Sequence, residues 1–381
     1  MAPSLYIHIP FCKRKCFYCN FYSDVYGDTS ASSYIDVLIG QIKKIGTVPE
    51  GDCPYFSTIY IGGGTPTSLD KKLLVRLLKS FEQYSRSASE FTIEANPESL
   101  DEDKIKLFLD SGVNRISIGV QSLRDDKLKK LGRIHTAKKA IDSVHLASKK
   151  GFKNISIDLM FGIWGEDIAS WKKELVEAVK LPADHVSCYE LTYENGTPLF
   201  AALKNKSVTP LEDDVTAAMY ELVIDELGLR GIKQYEVSNF AKIGCECKHN
   251  INYWENNEYI GLGPSAVSYI EGVRAKNISD VGEYVKRLNE GKSIIESSEH
   301  LTPVKRARET AAIKIRTKEG IDFKWFKDKT GFDLQELEKN AIKDLLAKDL
   351  IKYKRENNLP SGIVLKRKGF LFCDTVSSAM M

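Results

Sequence analysis

The chain has 381 residues, 28% of them charged and 43% hydrophobic, with a formal net charge of only +3. That balance belongs to a globular protein able to bury a sizeable core, and no overall field demands nucleic acid or a membrane surface as partner. With no targeting pattern and no apolar run of membrane-spanning length, the expectation is a cytoplasmic protein whose eight cysteines serve as ligands or buried thiols.

In chain order, short runs rich in β-branched and aromatic residues recur at 5–10 (LYIHIP), 57–63 (STIYIGG), 90–96 (EFTIEAN), 115–121 (RISIGVQ), 154–162 (NISIDLMFG) and 185–192 (HVSCYELT). Between them lie helical patterns, among them 71–85 and 137–151. Such alternation predicts βαβ units on a parallel sheet, either an open doubly wound sheet or an incomplete barrel. Polar groups fall where such folds do their chemistry, at the C-terminal ends of the strands. A cysteine loop follows strand one and Gly62-Gly63-Gly64-Thr65-Pro66 follows strand two. Glu94, Gln121, Asp158, Tyr189 and Glu190 sit in or at the ends of the next four. Six strands delivering polar groups to one rim predict a broad cofactor site.

Cys12, Cys16 and Cys19 are spaced C-x3-C-x2-C. Three thiolates can hold three irons of a [4Fe–4S] cluster and leave the fourth open to an outside ligand. The alternative is a structural zinc site, with His8 or a distant cysteine as fourth ligand. Three successive glycines allow backbone to approach a ligand closely, which weighs toward the cluster.

The three-cysteine spacing followed by GGGTPT resembles the radical S-adenosylmethionine (SAM) superfamily. YIHIPFC, IEANPES, RISIGVQS, IDLMFG, YELTYENGTP, QYEVSNFA and HNINYWE are similar, in order, to its coproporphyrinogen dehydrogenase and heme chaperone branch, closest to the heme chaperone HemW subgroup. The resemblance implies an incomplete parallel (β/α)6 barrel over 1–235, a heme-motif segment and connection over 236–300, and a small α+β, winged-helix-like domain over 301–381. It implies that Cys12, Cys16 and Cys19 bind the [4Fe–4S] cluster and that SAM occupies the open iron. Tyr6, Gly63, Gly64, Thr65, Glu94, Gln121, Arg133 and Asp158 would hold SAM, although a solvated helix end is the plain alternative for Arg133. The dehydrogenase pattern carries a further cysteine two residues past the third, where this chain has Phe21. The N-terminal cover of that enzyme is not expected either, with the first strand beginning at Leu5.

Residues 248–259 carry His249, Asn250, Tyr253 and Trp254 in an H-N-x-x-Y-W arrangement. Imidazole is a common axial ligand of heme iron, and neighbouring aromatics suit a flat macrocycle. The resemblance assigns the motif to heme binding, with His249 as the ligand. Cys245 and Cys247 read as accessory ligands or, more simply, as ordinary loop cysteines. Residues 301–381 hold 18 Lys and Arg against 11 Asp and Glu. Helical patterns at 304–317 and 333–351 precede 363–376, which reads as one or two strands. A basic module of this kind can bind RNA, but its interspersed charges read as a solvated face. The expected function is heme binding and delivery to an acceptor protein, with no nucleic acid and at most peripheral membrane contact. The alternative is an oxygen-independent coproporphyrinogen III dehydrogenase.

Overall fold

Six strands obey one alternation rule. In β1 (Ser4–Ile9), Leu5, Ile7 and Ile9 are fully buried on one face, while Ser4, Tyr6 and His8 occupy the other. The rule repeats in β2 (Thr58–Gly63), β3 (Glu90–Ala95), β4 (Arg115–Gln121), β5 (Ile155–Phe161) and β6 (His185–Glu190). In this computed structural model, which describes residues 2–45, 56–85 and 87–381, each strand pairs in parallel with the next in sequence. The register aligns Tyr6 with Tyr60, Tyr60 with Thr92, and Glu94 with Ser117, so the polar faces form one continuous inner surface. The apolar faces meet the helices. In α1 (Lys71–Lys79), for example, Leu73, Leu74, Leu77 and Leu78 are buried and Asp70 caps the first turn by accepting from the Leu73 N–H. Each such leucine removed from water contributes about 1.5–3 kcal/mol.

The parallel strands curl into a barrel that does not close. Beyond β6, the sheet continues antiparallel through Asn239–Ala241 and Lys233–Gln234. Beyond β1 it continues through Tyr259–Leu262, parallel to β1, and then through antiparallel Val267–Ile270, Val273–Asn277 and Ile295–His300. Five strands of the sheet thus fall within 236–300, the stretch read from sequence as a heme-motif segment and connection. Its strands are short, and the turn of its hairpin is Glu271-Gly272, both at positive φ. A glutamate there is not the Asn or Asp that marks a two-residue hairpin in sequence.

The C-terminal part sets helices Pro303–Lys314 and Phe323–Thr330 beside a three-stranded sheet of Ile321–Asp322, Leu359–Leu365 and Ile351–Glu356. Helices followed by a β-hairpin give the winged-helix-like form. The strand expected over 363–376 ends at Leu365, and helices Arg367–Leu371 and Cys373–Ala379 follow. Phe370, Cys373, Val376 and Met380 are buried at spacings of three and four, a helical period that the aromatic run FLF conceals. The helical pattern at 333–351 is broken at Glu338 and ends at Ala347. That at 71–85 is broken after Lys79. Among the described residues, no helix is long and apolar enough to cross a membrane.

Candidate cofactor site and aromatic cavity

The loop after β1 carries the three cysteines, all half-buried. Its backbone is laced to the glycine run: Gly64 N–H donates to Ile9 O at 2.8 Å and Thr65 N–H to Phe11 O at 2.7 Å. A Cβ on Gly64 would stand 2.8 Å from Phe11 O, so only glycine permits this approach. Two sulfurs already accept from protein donors, Cys12 from Thr65 Oγ1 and Cys16 from Arg133 Nη1, each at 3.4 Å. Burial pushes the thiols of Cys12 and Cys19 up, and the Thr65 hydroxyl opposes that shift at Cys12. Donors aimed at sulfur favour the thiolate that a cluster requires, so the residues fit the group. Among the described residues, no three such side chains surround a single-ion position.

Arg133 is not a solvated helix end. Its guanidinium also donates to Asn96 Oδ1 at 2.6 Å and Gly119 O at 3.0 Å, which ties the cysteine loop to β3 and β4. Glu94 accepts from Tyr60 Oη at 2.7 Å and Gly63 N–H at 3.1 Å. Desolvation lifts its carboxyl to about 7, against the Tyr60 bond. A Cβ on Gly62 would lie 2.8 Å from the Glu94 carboxylate, and one on Gly63, at φ 108°, 2.5 Å from His8 Nδ1. The glycines thus make room for two inward side chains. Asp158, also raised by burial, accepts from Ser117 Oγ at 3.3 Å. Gln121 ends β4 at φ 64°, close by Arg133 across Gly119. Every residue expected from sequence to hold SAM lies in or beside this rim.

A cavity of about 560 Å³ opens next to the rim, between β1 and the antiparallel flank. Tyr6 and His8 supply one wall, Phe21 and Tyr22 of the cysteine loop another, and Tyr253, Trp254, Tyr259 and Arg274 the far side. The volume falls in the range of about 300–1,000 Å³ usual for small organic ligands. Phe21 is 70% exposed at its edge.

The H-N-x-x-Y-W segment forms helix α2 (Lys248–Trp254). Its N-cap, Cys247, supplies no side-chain cap. Glu90 of β3 serves instead, accepting from Lys248 N–H at 2.8 Å and His249 N–H at 3.2 Å. The Cys247 thiol, pushed by burial up to about 12, points at the same carboxylate and is out of reach as a cavity ligand. Cys245 is half-buried in the loop before it.

His249 departs from its expected place. Its ring is 1% exposed and forms no part of the cavity lining. Nδ1 lies 2.7 Å from Thr58 Oγ1 and Nε2 lies 3.0 Å from Tyr253 Oη, so both nitrogens are engaged behind the cavity wall. Burial, and then the Arg115 charge, hold it down at about 3. Tyr60, Tyr259 and Arg274 are functional candidates that the sequence reading passed over. The alternation T-I-Y-I-G in β2 could have placed Tyr60 on the inner face; nothing comparable marks Arg274.

Residues 6–176 match the radical SAM superfamily, and residues 301–372 match the HemN C-terminal domain. The heme chaperone HemW of Bacillus subtilis is 36% identical, with 99% of each chain covered. That of Lactococcus lactis is 36% identical over 96% of this chain and 94% of its own. The coproporphyrinogen III oxidase HemN of Escherichia coli, a solved radical SAM enzyme, superposes with a TM-score of 0.84 at 23% identity, covering 100% of this chain and 90% of that one. That likeness carries the fold.

Proposed function

We propose that this chain, which belongs to the HemW family of heme chaperones within the radical SAM superfamily, binds heme in the aromatic cavity and passes it to an acceptor protein in the cytoplasm. The cavity carries the reading. It is walled by aromatic side chains suited to a macrocycle, and it opens at the surface beside the exposed Phe21, so a cargo can leave by the route it entered.

Cys12, Cys16 and Cys19 would hold a [4Fe–4S] cluster whose open iron, with SAM, supplies reductive cleavage chemistry when both are bound. The chain's own groups prepare that place. Thr65 and Arg133 direct hydrogen bonds at two sulfurs, Gly63 and Gly64 expose backbone edges, and Glu94 and Asp158 offer carboxylates to the donors of SAM. The bonds Glu94 already accepts leave each oxygen a further lone pair.

A second reading rests on the same cavity, since Tyr6 and His8 border both it and the rim. A porphyrinogen held there would lie beside the cluster loop, as oxidative decarboxylation of its propionates requires. Phe21, standing where the dehydrogenase pattern has its further cysteine, favours the carrier. One anaerobically purified and reconstituted sample, given heme in one aliquot and coproporphyrinogen III with SAM in another, tests the choice. About one heme taken up per chain with no decarboxylation is expected. Decarboxylation without heme uptake would promote the enzyme.

A further inference from the structure

We infer that Tyr253, not His249, supplies the protein ligand to the heme iron, and that His249 acts behind it as a positioning residue. The inference rests on the heme-carrier reading. Tyr253 lines the cavity, whereas His249 is buried outside the lining and is hydrogen-bonded to it through the Tyr253 hydroxyl. Phenolate oxygen is an established axial ligand of ferric heme.

The hydrogen bonds fix the state of the pair. The single hydrogen of Thr58 Oγ1 is donated to Ser4 Oγ at 2.8 Å. Thr58 therefore accepts from His249, which places the imidazole proton on Nδ1 and leaves Nε2 as the acceptor for Tyr253. Ligation by His249 Nε2 would require Tyr253 to vacate its bond and the helix to turn. Ligation by Tyr253, whose side chain already lines the cavity, leaves the helix in place and requires loss of the phenol proton.

A path for that proton exists. Tyr253, His249, Thr58, Ser4 and Ser57 are joined by successive contacts of 3.0, 2.7, 2.8 and 3.0 Å. As the iron–oxygen bond forms and the phenol O–H bond breaks, the proton passes to Nε2 while the Nδ1 proton passes to Thr58. The hydroxyl protons of Thr58 and Ser4 each advance one place. Ser57, which is half-exposed, releases one to water. The imidazole stays neutral and ends with an Nε2–H that donates to the bound phenolate.

His8, the imidazole that does line the cavity, is no better placed as a ligand. Its Nε2 is 2.9 Å from Tyr22 O, and its Nδ1 abuts Gly63 and bonds Tyr6.

The test uses the full-length, reconstituted protein loaded with ferric heme. Resonance Raman and absorption spectra of the unaltered protein should show tyrosinate ring modes and a phenolate-to-iron charge-transfer band, a readout that needs no variant. Tyr253→Phe should lose both and release heme to apomyoglobin at least about tenfold faster, since affinity changes appear mostly as off-rates. Tyr6→Phe should keep them. His249→Leu should keep the band but shift the iron–oxygen stretch, and His249→Gln, which can still bond the phenolate, should restore it. An imidazole-type spectrum that persists in Tyr253→Phe and vanishes in His249→Leu would overturn the assignment while leaving the carrier reading intact. Loss of the band in Tyr6→Phe alone would also overturn it. No heme uptake by the unaltered protein would remove the carrier reading and this inference together.

Discussion

The rim and the cavity share β1, yet they are built differently. At the rim, glycine backbone is laced to the cysteine loop, and Arg133 bonds a sulfur, a side-chain amide and a carbonyl at once. Such an over-determined lattice suits a cofactor that stays. In the cavity, aromatic rings of β1, the cysteine loop, the seven-residue helix and the strand Tyr259–Leu262 make most of the wall, which includes the exposed Phe21. Apolar area can hold a flat cargo without fixing its every atom, which suits one that departs. On the proposed reading, resident and passenger receive different architectures on adjoining edges of one sheet.

The sharpest way to break this comparison is to remove the resident. Cys12→Ala, Cys16→Ala or Cys19→Ala should abolish cluster assembly, measured as loss of about four irons per chain after reconstitution. Heme uptake by the same proteins should continue, because none of the three cysteines lines the cavity. Heme binding lost in step with iron would mean that the two regions are one site.

A second prediction concerns what holds the cavity wall. His249 is held at about 3 against an ordinary 6.5, so the unfolded chain binds the extra proton between those values. Its neutral burial therefore contributes stability that is whole above pH 6.5 and is lost as pH falls toward 3, by at most about 1.4 kcal/mol per pH unit. His249→Gln should lessen the slope there, the remainder coming from His8 and His185, which burial also holds down. An unchanged slope would show that the ring is not buried as described.

The difference between the two regions also explains what was legible in the sequence. The rim is written locally: C-x3-C-x2-C, three glycines, and carboxylates at strand ends announce themselves without tertiary knowledge. The six parallel strands are equally plain, because their apolar residues alternate with polar ones, Met160 of β5 being an exception. The cavity's far side depends on pairings between short strands whose polar edge, Ile295–His300, is wholly exposed and has no apolar period. The role of His249 was out of reach for a related reason. Its helix is capped by Glu90, over 150 residues earlier in the chain, and its nitrogens are claimed by Thr58 and Tyr253. A histidine beside aromatics reads as a ligand until those partners are known.

A third prediction tests the rim's carboxylate. If Glu94 accepts from SAM as an anion, its carboxyl at about 7 makes SAM affinity rise about tenfold per unit as pH approaches 7 from below, then level off. Glu94→Gln should remove that dependence and weaken SAM by about ten- to a hundredfold, the scale of a charged hydrogen bond. Heme retention should not change. Asp158→Ala should reduce the SAM-induced change in the reduced cluster's EPR signal without removing the cluster. A pH-independent SAM affinity in the unaltered protein would take Glu94 out of the site.

The smallest expected effect lies at the cavity's charged edge. Arg274 Nη1, on a half-buried side chain, pairs with Oε1 of the buried Glu309 at 2.7 Å, and its guanidinium lies 5.5 Å from the centre of the Tyr269 ring. A heme propionate reaching this edge would share a cation that is already neutralised. A propionate meeting this cation at the cavity's open edge would gain about 0–1 kcal/mol, as exposed ion pairs do, so Arg274→Ala should speed heme loss no more than about fivefold, with most of the effect gone at high salt. Part of even that loss would come from Glu309, left unpaired and repelling the propionate. Arg274→Ala combined with Glu309→Gln should therefore retain heme better than Arg274→Ala alone, a non-additivity that stopped-flow transfer to apomyoglobin can resolve. A loss of a hundredfold or more in the single variant would make the cavity's hold chiefly electrostatic. The distinction between a lattice of polar ties for the cofactor and an aromatic surface for the cargo would then fail.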